Sequence, residues 1–270
     1  MADRHQKTRM QQEFADRDQA VLVRLNKYLS EAGVCSRREA DRLIEAGDVL
    51  VDGQKAVPGM KVLPGQDVRV QGKKVEKETG LVLLAFYKPV GVVCTTDRRW
   101  DDVTVDQVLN YPKRVFYIGR LDKDSEGLLL MTNDGEILNK IMRAGNYHEK
   151  EYEVTVDKPV TKEFLDAMAA GGIPVKEQKT RPCKVKKTGK YSFRIILTQG
   201  LNRQIRRMCE YLGWNVMRLV RLRVMNIELG TLKSGEYREV TKAEQEQLYD
   251  LLKGSYSAPK TGKGKGKNNG

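Results

Sequence analysis

The chain has 270 residues, 40% of them hydrophobic, enough to bury a sizeable core and long enough for one large domain beside a small one. Lysines and arginines outnumber aspartates and glutamates 49 to 36, a net charge of +13, which favours a polyanionic partner because each phosphate contact releases condensed counterions. No apolar run approaches the ~20 residues that span a bilayer, and neither a lipid anchor nor a secretory leader stands in for one, so the expectation is a cytoplasmic protein without membrane contact.

Cys35, Cys94, Cys183 and Cys209 are far apart, without the paired spacing that holds zinc or a dense disulfide framework, and read as ordinary thiols. His5 and His148 are the only histidines, so metal sites and histidine relays have little raw material. Catalysis is expected to rest on carboxylates and basic groups, with no metal and no cofactor.

In chain order, residues 1–21 are charged and aperiodic, a flexible leader. Leu25, Tyr28, Leu29 and Ala32 then recur at the spacing of one helical face. Ser36-Arg37-Arg38-Glu39 fits a capping box opening a second helix, with Ala40, Leu43 and Ile44 as its apolar face and Gly47 at its end. Val49-Leu50-Val51-Asp52-Gly53-Gln54-Lys55 predicts a hairpin turning at Asp-Gly, and Val68-Arg69-Val70 a further strand. Arg24, Lys27, Arg37, Arg38 and Arg42 cluster on the helix pair, where a basic surface for phosphates competes with an ordinary solvated face.

The order of these elements and the wording RLNKYLSEAGVCSRREADRLIEAGDVLVDG resemble the ribosomal protein S-four-like RNA-binding domain over residues 22–72, which implies binding to structured RNA. Residues 73–80, KKVEKETG, suit a linker. From Leu81 to residue 253, β-rich runs such as Glu151–Val156 and Phe193–Leu197 alternate with helical segments such as Thr161–Ala170. An α+β domain with a mostly antiparallel mixed sheet flanked by helices is expected. Residues 254–270, rich in lysine and glycine and free of acids, read as a disordered tail adding loose phosphate attraction.

Three stretches of the larger domain carry chemistry. In Gly119-Arg120-Leu121-Asp122-Lys123-Asp124-Ser125-Glu126-Gly127, a carboxylate sits between two cations ahead of a turn and an apolar strand, a way to hold an ionised aspartate at the mouth of a cleft. Lys150-Glu151-Tyr152 opens a strand, where the default role of a tyrosine is core packing. In Gly200-Leu201-Asn202-Arg203-Gln204-Ile205-Arg206-Arg207-Met208, Ile205, Met208, Cys209 and Leu212 make a helical apolar face and turn the arginines elsewhere.

Together these strings resemble the signature of pseudouridine synthases of the RsuA/RluB/RluE/RluF subfamily, and RAGNYHEKEYEVTVDKP and LVRLRVMNIELG look closest to the RluF type. The resemblance implies isomerisation of a uridine in large-subunit ribosomal RNA, with a tRNA anticodon uridine as a second target; nothing in the sequence demands a partner chain, so a monomer is expected. It places the catalytic aspartate on Asp122, as nucleophile or as base. It places the residue that stacks on the target uracil on Tyr152, the basic partner of the aspartate on Arg206, and the arginine filling space vacated by the flipped nucleotide on Arg120. Arg203, Arg207 and Lys150 follow as RNA contacts. Two other functions remain open: a non-catalytic RNA-binding or ribosome-assembly factor, and a hydrolase using Asp122 and Asp124 as paired acids. The last is ranked lowest because the two side chains are expected to diverge and no metal-ligand cluster supports it.

Overall fold

The computed structural model describes residues 22–76, 80–95 and 102–256. The chain divides into two compact units, Met1–Gly80 and Leu81–Gly270. The leader at residues 1–21 and the tail from residue 257 onward lie outside the described residues.

The first unit runs β1 (Val23–Arg24), α1 (Leu25–Glu31), α2 (Arg37–Glu45), β2 (Val49–Val51), β3 (Gln54–Lys55), β4 (Lys61–Val62), β5 (Val68–Val70) and β6 (Lys73–Lys74). Leu25, Leu29, Ala40 and Ile44 from the two helices close on Val49, Val51, Val62 and Val68 from the strands to form its core. Asp52 and Gly53 both take positive φ, +49° and +79°, the backbone of the two-residue turn whose twist matches flanking strands. Ser36 caps α2 by accepting from the Glu39 amide at 3.2 Å, but the Glu39 carboxylate turns to Arg42 at 3.0 Å, so only half of the capping box forms. The segment read as a linker begins with sheet: Lys73 and Lys74 pair with Val70 and Arg69, and Val75 is buried in the core. Charge suggested a connector there because an edge strand with solvent-facing lysines has the same composition as one.

The second unit contains β7 (Leu83–Lys88), α3 (Val105–Leu109), β8 (Phe116–Ile118), β9 (Glu126–Thr132), α4 (Gly135–Met142), β10 (Lys150–Val156), α5 (Lys162–Ala170), β11 (Pro174–Val175), β12 (Gln178–Lys179), β13 (Lys184–Lys187), β14 (Ser192–Leu197), α6 (Gln204–Tyr211), β15 (Val216–Val224), β16 (Ile227–Glu228), β17 (Tyr237–Glu239) and α7 (Lys242–Leu252). Its nine-stranded sheet has the order β13-β14-β10-β15-β9-β7-β17, with β16 beside β15 and β8 beside β9. Pairing is antiparallel except between β15 and β9. This is the mixed α+β architecture expected from the sequence.

The alternation of side chains along strands sorts the cores onto the two faces of the sheet. Leu128 and Leu130 join Val220, Val224, Ile137 and Leu248 in a core on one face of the sheet, covered by α4 and α7. Their neighbours Leu129 and Met131 point to the other face, into a cluster under α3, while Leu219 points to that same face at the β10–β14 end, into a cluster with Phe164, Phe193 and Met208. The second face therefore carries two separate apolar clusters, and the loop feeding β9 arrives between them.

Gly127 makes the β9–β15 junction possible. A Cβ at this residue would lie 2.4 Å from the Arg221 carbonyl oxygen, and its φ of +103° is one that L side chains rarely adopt. Only glycine lets the two strands approach closely enough to pair Val220 with Glu126 and Arg221 with Gly127.

Candidate active site

Asp122 lies in the loop between β8 and β9, followed by a turn at Lys123 and Asp124. The loop is fastened from three sides. The Ser125 amide donates to the Asp122 carbonyl at 3.1 Å, the Gly91 amide to the Lys123 carbonyl at 2.7 Å, and Lys88 Nζ to the carbonyls of Ser125 and Pro89, both at 2.7 Å. Lys88 is fully buried, and that burial pulls its pKa below the usual lysine range despite the nearby carboxylates. An ammonium taken out of water needs such oxygen partners, and here they are the main chain on both sides of the site. Sequence reading missed Lys88; its one visible signal is a cation at the end of the apolar run Leu81–Phe86.

Arg203 and Arg206 converge on this loop from α6. Arg203 forks onto Asp124 with bonds of 3.0 and 2.9 Å and stands 3.7 Å from the Asp122 carboxylate. It takes left-handed backbone, φ +52°, at the entrance to α6, a conformation uncommon for a non-glycine residue and characteristic of functional turns. Arg206 donates to the carbonyls of Asp124 at 2.7 Å and Val216 at 3.1 Å, and to Ser125 Oγ at 3.3 Å. Its Nε is 3.2 Å from Asp124 Oδ2 but makes no hydrogen bond, so that contact is an ion pair of charge alone.

Two expectations change here. The carboxylate that Arg206 contacts is Asp124, not Asp122; the ion pair of Asp122 is with Arg203. Asp122 and Asp124 also do not diverge, because the segment is a turn and both carboxylates meet Arg203. The Arg203 hydrogen bonds, then Arg206, hold the Asp124 carboxyl below its ordinary pKa, which keeps it a carboxylate and not a proton donor. That argues against a paired-acid hydrolase in which one member must carry a proton. Lys123, read as one of two cations flanking Asp122, pairs with Asp102 instead. Arg120 is exposed beside the loop.

Tyr152 is half-buried against the Phe193 cluster and lies directly opposite Arg221 across β10 and β15, which in turn faces Gly127 on β9. The row Tyr152, Arg221, Gly127 crosses two strand spacings, ~10 Å, and ends five residues from Asp122. Arg221 shares the face of Leu219, at the floor of the space between the two clusters. It is 2% exposed, spends Nε on the Leu128 carbonyl at 2.7 Å, and leaves Nη2 without a hydrogen-bond partner. A buried guanidinium nitrogen without a partner is costly. Lys150, half-buried at the start of β10 near Arg221, has its pKa pulled down to about 8, first by desolvation and then by that arginine. Arg221 was not singled out from sequence because it alternates with apolar residues and reads there as a strand's solvent side.

Arg207 lies on α6 with Arg206, on the side facing β11. In the first unit, Arg24, Arg37 and Arg38 are exposed, Lys27 pairs with Glu31 at 3.5 Å, and Arg42 with Glu39.

Comparison with known proteins gives this arrangement its context. A family model for RNA pseudouridylate synthase matches residues 82–211, and one for the S4 domain matches residues 23–68. The chain is 53% identical to the dual-specificity RNA pseudouridine synthase RluF of Salmonella typhi and, equally, of Escherichia coli (strain K12), over 88% of this chain and 82% of each relative. It is 39% identical to ribosomal large subunit pseudouridine synthase B of Bacillus subtilis (strain 168), over 85% of this chain and 97% of that protein. A crystal structure of a pseudouridylate synthase superposes with a TM-score of 0.62 at 28% identity, covering 84% of this chain and 99% of the other. The synthase match spans the Asp122 turn, the Tyr152 strand and helix α6, and with more than half the residues shared across most of the chain, this protein belongs to the RNA pseudouridine synthase family.

Proposed function

We propose that the chain isomerises a specific uridine of large-subunit ribosomal RNA to pseudouridine, with a tRNA anticodon uridine as a second target, and that Asp122 starts the reaction. The observation that carries this reading is a carboxylate on a loop held by main-chain hydrogen bonds, with an arginine 3.7 Å away. The chemistry asks for little else: uracil leaves the sugar through its nitrogen, turns, and rejoins through ring carbon five, with no redox change. An aspartate can attack covalently or remove a sugar proton. Tyr152 offers an aromatic face for a uracil taken out of its stack, and Arg120 a planar cation for the space left behind. Arg206 acts through the loop, holding Asp124 and Ser125 so that Asp122 is presented to the substrate.

The names borne by the relatives, a dual-specificity RNA synthase and a ribosomal large subunit synthase, support the ribosomal target and a second substrate. Residues 22–72 are assigned to docking structured RNA and 81–253 to chemistry. The protein is proposed to work as a monomer in the cytoplasm. Among the described residues no helix is long and apolar enough to cross a membrane. The test is to map pseudouridine by position in ribosomal and transfer RNA transcripts treated with wild type and with Asp122→Asn. A defined uridine modified by wild type and untouched by the variant is expected; modification that survives the substitution, or none on any RNA, overturns the reading.

A further inference from the structure

One groove in the second unit opens next to the Asp122 loop and runs away from it along α6. It has a volume of about 460 Å³ and is lined by Pro174, Lys176, Arg203, Arg206, Arg207, Glu210 and Tyr211. The five residues from the α6 side fall at intervals of three, four, seven and eight from Arg203, a single helical face. The opposite wall is the β11–β12 hairpin, with Lys176 at its tip in left-handed backbone, φ +55°. The groove starts at the two arginines that hold the Asp122 loop and ends at Tyr211, ~12 Å further along the helix.

Three features point to one kind of occupant. The lining has four cations against one carboxylate, and Lys176 and Arg207 form no ion pair among the described residues, so their charge is available to a ligand. Tyr211 is 63% exposed, an open ring at the far end of a basic channel. A basic groove that tracks a backbone, with an aromatic ring on which a base can stack, is how single-stranded nucleic acid is held without regard to sequence. Extracting one nucleotide also strips a stacking face from its neighbours, which an aromatic side chain can replace.

We propose that this groove is a subsite for the RNA strand flanking the target uridine, in which Lys176 and Arg207 hold backbone phosphates and Tyr211 stacks on a base about three nucleotides from the target. Counted from the Arg203 end of the groove, beside Asp122, ~12 Å of helix at ~3.4 Å per stacked nucleotide is about three to four nucleotides. The assignment rests on the chain being an RNA pseudouridine synthase and adds the path of the strand outside the catalytic cleft.

The test is equilibrium binding of the full-length protein to an RNA hairpin with a uridine in its loop, and to copies of that hairpin each carrying one abasic nucleotide within four positions of the uridine on either side. Tyr211→Ala is expected to weaken binding to the intact hairpin about five-fold or more, and Tyr211→Phe to restore it, because stacking does not use the hydroxyl. At one abasic position, about three from the uridine, wild type should bind as weakly as Tyr211→Ala and the substitution should add no further loss. Lys176→Gln and Arg207→Gln should each reduce the slope of log affinity against log salt by about one. Unchanged binding by Tyr211→Ala, or an equal loss on every abasic hairpin, overturns the stacking subsite; thermal melts of each variant exclude a folding defect. Binding is read without turnover, so failure of this subsite is distinguishable from failure of the catalytic reading, which pseudouridine mapping reports separately.

Discussion

Arg206 grips Asp124 at both ends of that residue, with Nη2 on its carbonyl at 2.7 Å and Nε 3.2 Å from its carboxylate, while Asp122, two residues earlier in the turn, is left to Arg203. The guanidinium also reaches Val216 and Ser125, so a single planar group ties the Asp122 loop to β15. A lysine offers one point charge and cannot span these acceptors. Arg206→Lys should therefore lower the single-turnover rate about 10- to 100-fold, the loss of one to two charge-assisted hydrogen bonds, while RNA affinity changes less. A fall in affinity that matches the fall in rate would mark Arg206 as an RNA contact instead.

The pKa of Asp124 is depressed, chiefly by Arg203, so its ion pairs contribute stability above the ordinary carboxylate pKa and lose it as pH falls through the lower folded value. The side chain is 46% exposed, and solvent screening limits the contribution to less than ~1 kcal/mol. Asp124→Asn should shift the acid limb of the stability profile slightly and leave stability at pH 9 relative to pH 7 unaltered, as followed by urea unfolding across pH.

Lys150 gives a second pH signature. With its pKa near 8, it is increasingly neutral in the folded protein between about 8 and the usual lysine value, where the unfolded chain still holds the proton, so its contribution to stability rises with pH across that window. RNA affinity should move the other way if Lys150 meets a phosphate, declining as pH climbs through 8. In Lys150→Arg the decline should vanish, because a guanidinium stays charged. Titrating RNA binding from pH 7 to 9.5 for both proteins checks this.

Gly127→Ala forces a side chain into the Arg221 carbonyl and into backbone that disfavours it. A loss of at least ~3 kcal/mol in unfolding free energy is expected. Gly53→Ala, at a turn with nothing within 4 Å of the added Cβ, bears only the conformational penalty and should lose about 1 kcal/mol. Chemical denaturation of the two variants compares clash with strain directly.

The two units have separate cores, so docking and chemistry should separate. Removing residues 1–80 should weaken RNA binding and flatten its salt dependence, by a slope of about 0.9 for each phosphate that the shortened chain no longer neutralises, with melting of the remaining unit retained. Equal binding with and without residues 1–80 would refute the docking role.

What the sequence made legible follows the physics that acts locally. The helix pair and hairpin of the first unit are set by apolar spacing, a serine cap and an Asp-Gly turn, and all of these operate within a few residues. The strands around Tyr152 and Phe193 and the helix α6 likewise announce themselves by period. The pairing of Arg206 with Asp124 could not be read, because two charges about eighty residues apart carry no local mark of their partner. Lys88 and Arg221 were hidden for a related reason: a buried cation looks like a solvent-facing one until its main-chain acceptors are known. The β6 edge strand passed for a linker because solvated lysines dominate both.

The parallel contact of β9 with β15 joins segments about ninety residues apart, and the Asp122 loop is the immediate lead-in to it. Closing so long a loop is entropically slow, so this seam is expected to form late in folding, after the local hairpins. A nascent or partly folded chain would then bind RNA through its basic surfaces before it can act on it, and competence would arrive as a single event when the seam closes.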